Sequence, residues 1–257
     1  MKKIGLVSWR LPGDIYNALR LCKYHNAGLL QLDFGGNQRG PLLSSYDTER
    51  IKAEAEHRNV ALNAIALNLY NDMGIMRSSF SCKQIFIEAL ALAEKLAVPT
   101  LFIPSFRLSS INNELDLLNT AGFLRWCCDV AGPDITVASE NTLTPEKSKL
   151  LCLLVAKDNF KLIFDPANLY QKKVSAVEYF IEIMDSLYKG MHIKHPTGND
   201  FSKLEQDYLL IIDQIASLPK GILSRFDFYS ENDYRTVDDS HIESDLNWLS
   251  KTFRPLE

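Results

Sequence analysis

Eight short apolar runs, most of them followed by a stretch with helical spacing, constrain this chain more than any other feature. The runs are IGLVSW (4–9), LLQLDF (29–34), ALNAIALN (61–68), TLFIPSF (100–106), ITVASEN (135–141), KLIFDP (161–166), GMHIKH (190–195) and GILSRFDF (221–228). They are rich in Ile, Leu, Val and Phe, and most are flanked by Gly, Pro or Asn, as strands are. Between them, stretches such as DIYNALRLCKYH and KQIFIEALALAEKL carry apolar residues three and four apart, the period of a helix with one buried face. Thr144-Pro145-Glu146 has the form of a helix start, with Thr144 as cap and Pro145 in the first turn.

The runs end roughly 25 to 38 residues apart, the length of one strand–helix unit joined by a parallel crossover. Eight such units in 257 residues predict an α/β fold, the (β/α)8 TIM barrel, with a doubly wound open sheet as the competitor. No Pro- or Gly-rich linker divides the chain, so residues 1–257 read as a single barrel domain. A closing helix is expected near residues 242–253.

Composition narrows the function classes. A net charge of -4 with no long basic stretch disfavours a nucleic-acid partner. The five cysteines form no CxxC pair, which argues against a disulfide framework or a structural zinc site and points to a reducing cytoplasm. The opening MKKIGLVSWRLPGD is too short in apolar residues for a signal peptide, and no run approaches the ~18 that a membrane span needs. No targeting or membrane segment is expected. The oligomeric state is open, and a homo-oligomer is compatible with the composition.

In an α/β barrel, chemistry gathers at the C-terminal ends of the strands. The second run ends in Asp33, the third in Asn68, the fifth in Glu140-Asn141 and the sixth in Asp165, with Asn168 just beyond. The seventh carries His192, Lys194 and His195, and the eighth Arg225 and Asp227. Charged groups crowded at one mouth need a cation or dense hydrogen bonding. Two carboxylates and an imidazole from Glu140, Asp165 and His192 suit a divalent Mn, Mg, Co or Zn ion with positions open for substrate oxygens. Each residue also has a plainer role to offer: Asp165 before Pro166 opens turns well, Asp33 before Gly35-Gly36 could shape one, and His192 could be a core histidine. Trp9 and Phe34, at strand ends, could floor a sugar pocket or belong to the core.

These motifs resemble the sugar phosphate isomerases and epimerases with a xylose isomerase-like barrel, over nearly the whole chain. SENTLT is similar to the Glu-Asn of that family's fifth strand, IFDPANLY to the Asp-Pro-x-Asn variant of its sixth, and MHIKH to the His-x-Lys of its seventh. GLLQLDFGG resembles its second strand, with Asp33 where a glutamate is usual. The resemblance implies a divalent metal held by Glu140, Asp165, His192 and an eighth-strand carboxylate. The first and last of these would also act as bases on a small sugar or polyol, phosphorylated or not. Asp227 is assigned the last position, as ligand and base. It stands one place from the strand position expected for a glutamate, so a bulge must turn it inward or Glu231 must reach back instead. Asp33, Asn68, Asn168, Lys194 and Arg225 are assigned to substrate. Asn168 replaces a histidine that many epimerases of the family use. The resulting expectation is an isomerase or epimerase working through an enediolate. The alternatives are a dehydratase of the inosose or dehydroshikimate type, a binding or regulatory protein with a degenerate site, and a metal-dependent endonuclease, which the acidic charge disfavours.

Overall fold

Branched and aromatic residues in alternation place half of each strand against helices and half against the barrel axis. The computed structural model describes residues 4–36, 38–198 and 200–253. Its strands are β1 (Ile4–Val7), β2 (Leu29–Asp33), β3 (Ala61–Ala66) and β4 (Thr100–Pro104), then β5 (Thr136–Glu140), β6 (Phe160–Leu162), β7 (Gly190–Ile193) and β8 (Asp227–Ser230). All strand pairs are parallel, in the order β6-β5-β4-β3-β2-β1-β8-β7. The sheet closes on itself between β6 and β7, where Tyr188 N donates to Leu162 O at 2.7 Å and His192 N donates to Phe164 O at 3.0 Å. The expected eight-stranded α/β barrel is the fold this chain adopts.

Around it lie α1 (Ile15–Tyr24), α2 (Thr48–Arg58), α3 (Phe80–Leu96), α4 (Glu114–Ala131) and α5 (Pro145–Val155). They are followed by α6 (Pro166–Gln171), α7 (Ala176–Ile183), α8 (Gln206–Ala216), α9 (Lys220–Leu223) and α10 (Ser240–Thr252), the last close to the expected closing helix. Side-chain oxygens of Asp14, Asp47, Ser79, Asn113 and Thr144 accept from backbone N–H groups in the first turns of α1 to α5. Each such cap contributes about 1 kcal/mol. Among the described residues no helix is long and apolar enough to cross a membrane.

Alternation splits the core in two. Leu6, Leu30, Ile65, Leu101 and Val137 face outward into the helix layer. A smaller cluster of Ala66, Phe102, Ala138, Ile163 and Tyr188, with Trp9 packed against it, fills the barrel itself. Two tyrosine rings, Tyr188 and Tyr229, plug the barrel towards the N-terminal ends of the strands. They fit because their neighbours lack side chains: a Cβ on Gly190 would lie 2.6 Å from Tyr188 Cε1, and one on Gly5 2.6 Å from Tyr229 Cε1.

The eighth strand departs from expectation, and the departure moves the site. The apolar residues Ile222 and Leu223 fall in α9, a short helix opened by Pro219, and the strand begins only at Asp227. Asp227 therefore pairs with Gly190, the first residue of β7. It is buried at the start of β8, beside the tyrosine plug, instead of at the mouth. Arg225 lies in the turn before the strand and is exposed, with Asp185 as its ion-pair partner at 3.6 Å. Both assignments, Asp227 as ligand and base and Arg225 as substrate contact, are corrected by this register. The side chain four residues beyond Asp227 points to the same side of the strand, about 13 Å further along. That residue is Glu231.

Candidate active site

Four strands deliver one charged side chain each to the mouth. Glu140 is the last residue of β5, and Asp165 follows β6 as the N-cap of α6. His192 lies within β7, and Glu231 follows β8, where its N–H donates to Ile193 O at 2.9 Å. All four are buried, and one donor atom from each lies within 4.8 Å of all the others.

Asp165 caps a helix with one oxygen and turns the other to the cluster. Its Oδ1 accepts from Ala167 N at 2.8 Å and Asn168 N at 3.0 Å, capping a helix whose first residue is Pro166. Its Oδ2 faces the cluster, 2.7 Å from Lys194 Nζ. Lys194 Nζ also lies 2.7 Å from Glu231 Oε2. Glu140 Oε1 accepts from Asn168 Nδ2 at 2.6 Å, and Glu231 Oε1 accepts from Trp9 Nε1 at 2.8 Å.

His192 is oriented from behind. Its Nε2 donates to Gln31 Oε1 at 2.8 Å across the barrel. That leaves Nδ1 turned to the carboxylates, 3.6 Å from Glu140 Oε2 and 3.8 Å from Glu231 Oε2. Among the described residues Nδ1 has no hydrogen-bond partner. Phe102 packs on the imidazole edge-on, with ring centroids 5.4 Å apart, and Trp9 at 5.9 Å.

The electrostatics follow from three carboxylates sharing one ammonium. Burial pushes Asp165 up to about 6, and Glu140 and Glu231 add to this against the pull of Lys194. Burial opposes the charge on Glu231 too, but Lys194, His192 and Arg10 hold it down at about 2. Lys194 is raised despite its burial by Asp165, Glu231 and Glu140, and so stays charged. His192 is raised by Glu140, Glu231 and Asp165, again against burial.

This set fits a divalent cation. Metal–ligand bonds to carboxylate oxygen or imidazole nitrogen run about 2.0–2.3 Å, so ligands across an ion lie about 4–4.6 Å apart. The observed spread of up to 4.8 Å matches such a sphere. An imidazole whose far nitrogen is already hydrogen-bonded is a typical ligand arrangement.

Glu140 and Glu231 of the cluster line a cavity of about 1000 Å³ at the mouth. Asp33, Asn68, Asn168 and Lys194 also line it, so four of the five expected substrate contacts come together. Asn68 Nδ2 donates to Asp33 Oδ1 at 3.1 Å, and burial pushes Asp33 up to about 6 against that bond and the charge of Arg39. Trp9 lines the cavity, whereas Phe34 is buried in the helix-facing core. His195 is a loop latch: its Nδ1 accepts from Thr197 N and Gly198 N, at 3.1 and 2.8 Å. Gln31 escaped sequence reading; its only signal is an amide in the middle of an apolar strand.

A family model described as the xylose isomerase-like TIM barrel matches residues 19–225. The chain belongs to the xylose isomerase-like TIM barrel family. It is 29% identical over 256 residues to a 2-epi-5-epi-valiolone 7-phosphate 2-epimerase of Actinoplanes sp., covering 97% of this chain and 94% of the relative. A solved L-ribulose 3-epimerase superposes with a TM-score of 0.79 at 14% identity, over 98% of this chain and 95% of that one. A D-psicose 3-epimerase from Clostridium cellulolyticum H10 superposes at 0.77 and 12% identity, over 98% and 100% of the two chains. This xylose isomerase-like barrel thus has similar proteins, in sequence and in shape, among sugar epimerases.

Proposed function

We propose that the protein is a divalent-metal-dependent epimerase or isomerase of a polyhydroxy ketone. The observation that carries this reading is the Glu140–Asp165–His192–Glu231 cluster, buried at the mouth of a polar cavity. The epimerases named above support it. Mn, Mg, Co and Zn all suit the oxygen-and-imidazole donor set.

A cation held by these four residues supplies Lewis-acid polarisation of neighbouring substrate oxygens, which makes the carbon beside a carbonyl more acidic. Glu140 and Glu231 are the two proton carriers, arriving from β5 and from the end of β8. One takes the proton from that carbon and the other returns one to the opposite face, which inverts the centre. Asn168 holds Glu140 through its Oε1, and Trp9 holds Glu231 through its Oε1, so each base presents a fixed oxygen. Lys194, beside the same carboxylates, balances charge and can donate to a substrate oxygen. Asp33 and Asn68, hydrogen-bonded to each other on the adjoining wall, orient substrate hydroxyls.

The test is proton exchange. Mn-loaded protein in deuterium oxide, given a panel of ketoses, keto-cyclitols and their phosphates, is expected to place deuterium beside the carbonyl and form the epimer, as read by NMR. Glu140→Gln and Glu231→Gln are each expected to slow exchange by about 1000-fold or more. A metal-loaded protein that exchanges no proton on any of these compounds overturns the reading.

A further inference from the structure

The cavity wall opposite β7 and β8 carries an arrangement that proton transfer does not use. Three successive strand-to-helix loops contribute one charged residue each: Arg39 after β2, Asp72 after β3 and Arg107 after β4. Arg39 Nη2 lies 2.9 Å from Asp72 Oδ2, and Arg107 Nη1 lies 3.0 Å from Asp72 Oδ1. One carboxylate thus holds two guanidinium groups side by side, both lining the cavity. Partial burial works against the charge on Asp72, but the two arginines hold it below the usual carboxylate range.

The loops are built to keep this wall in place. Gly35, at φ +79, brings the chain back so tightly that a Cβ would lie 2.0 Å from Pro41 O, and Arg39 N donates to Gly36 O at 3.1 Å. Arg107 itself occupies the left-handed region at φ +52, a conformation that is strained for a residue other than glycine. Phe106 N donates to Asn71 Oδ1 at 3.0 Å, tying the β4 loop to the β3 loop. Such strain is retained where the surroundings impose it, commonly at ligand clamps.

Each arginine gives Asp72 one Nη and keeps the rest of its fork. Arg39 Nε is buried with no hydrogen-bond partner among the described residues. The wall holds two positive charges and one negative, and faces a catalytic end with three carboxylates. On the other side, Arg235 is closed onto Asp233 through both Nε and Nη2, and Arg10 leans on the same carboxylate at 3.6 Å. The Arg235 fork is thus occupied by Asp233, while Arg10 Nε, like Arg39 Nε, is buried with no hydrogen-bond partner among the described residues.

We propose that Arg39 and Arg107, held in parallel by Asp72, form a seat for the phosphate of a phosphorylated polyol whose keto carbon lies at the metal cluster. This rests on the epimerase reading for where the ring sits, though the seat itself is a property of the wall. A phosphate monoester carries close to two negative charges and matches bidentate guanidinium donors.

Isothermal titration of the whole, metal-free chain with inorganic phosphate, at neutral pH and fixed ionic strength, tests the seat. Binding on the order of 1 mM is expected. The Arg39→Gln/Arg107→Gln double variant should weaken it about tenfold or more, with Arg235→Gln within about twofold of wild type. No binding by wild type, no loss in the double variant, or an equal loss in Arg235→Gln each overturns the proposal. Mn affinity and proton exchange are read on the same variants. A double variant that exchanges neutral and phosphorylated polyols as wild type does removes the seat and leaves the epimerase reading standing. Phosphate binding lost in the double variant, with no exchange by the metal-loaded wild type on any polyol, keeps the seat and removes that reading.

Discussion

His192 Nε2 donates to Gln31 Oε1 at 2.8 Å, joining β7 to β2 through the middle of the barrel. The bond fixes which imidazole nitrogen carries the proton and leaves Nδ1 as the lone-pair donor facing Glu140 and Glu231. Gln31→Leu removes it without touching a ligand. Mn affinity, measured by titration calorimetry, is expected to fall about 10- to 100-fold, with the far-ultraviolet circular dichroism unchanged. Wild-type affinity in this variant shows that the bond does not orient the ligand.

The register of β8 makes an opposed pair of predictions. Glu231→Gln is expected to weaken Mn binding about 100-fold or more, because a buried charged ligand is lost. Asp227→Asn, at the far end of the same strand, is expected to stay within about twofold in protein that remains folded. The reverse pattern places the ligand at Asp227 and removes the site as described.

Lys194 lies 2.7 Å from both Asp165 Oδ2 and Glu231 Oε2. Lys194→Met leaves those buried carboxylates without their ammonium, which costs roughly 3 kcal/mol in the metal-free protein, read by urea unfolding. A divalent ion on the same oxygens no longer competes with the ammonium, so Mn is expected to bind about tenfold more tightly and to restore more stability than in wild type. Weaker Mn binding in the variant assigns Lys194 a supporting role towards the metal instead.

Asp33 gives a pH signature. Its carboxyl is raised from the ordinary 3.8 to about 6, chiefly by burial. A raised carboxylate costs stability when ionised: the cost is complete above about pH 6 and gone below about pH 4. Asp33→Asn keeps the contact to Asn68 and avoids the charge. It is expected to stabilise the metal-free protein by about 1–2 kcal/mol at neutral pH, with the gain shrinking to nothing as pH falls from 6 to 4. A constant difference across that range removes Asp33 ionisation as its source.

The sequence showed the barrel and three of the four clustered side chains because seven strands begin within a residue of their apolar runs and stop one to four residues before the runs do, which leaves the polar residue at the end of each run at the mouth. Asp165 was legible twice, as a cap and as a member of the mouth cluster, since one carboxylate has two oxygens to give. The eighth strand misled because Ile222 and Leu223 are apolar for a different reason: they sit in the short helix after Pro219. Without pairing partners in view, the start of this strand is misplaced by six residues, from Gly221 to Asp227, and the carboxylate at its mouth by four, from Asp227 to Glu231. Gln31 and the Asp72-linked arginines were invisible because their meaning lies in contacts between residues 33 to 161 positions apart.

The two tyrosine rings seated over Gly5 and Gly190 fill the barrel near the N-terminal ends of its strands. Among the described residues the cavity over the cluster is bordered by the rim arginines, so on the proposed reading a guest bound there passes them on its way in and out. A molecule lodged at that doorway would halt turnover without touching a base.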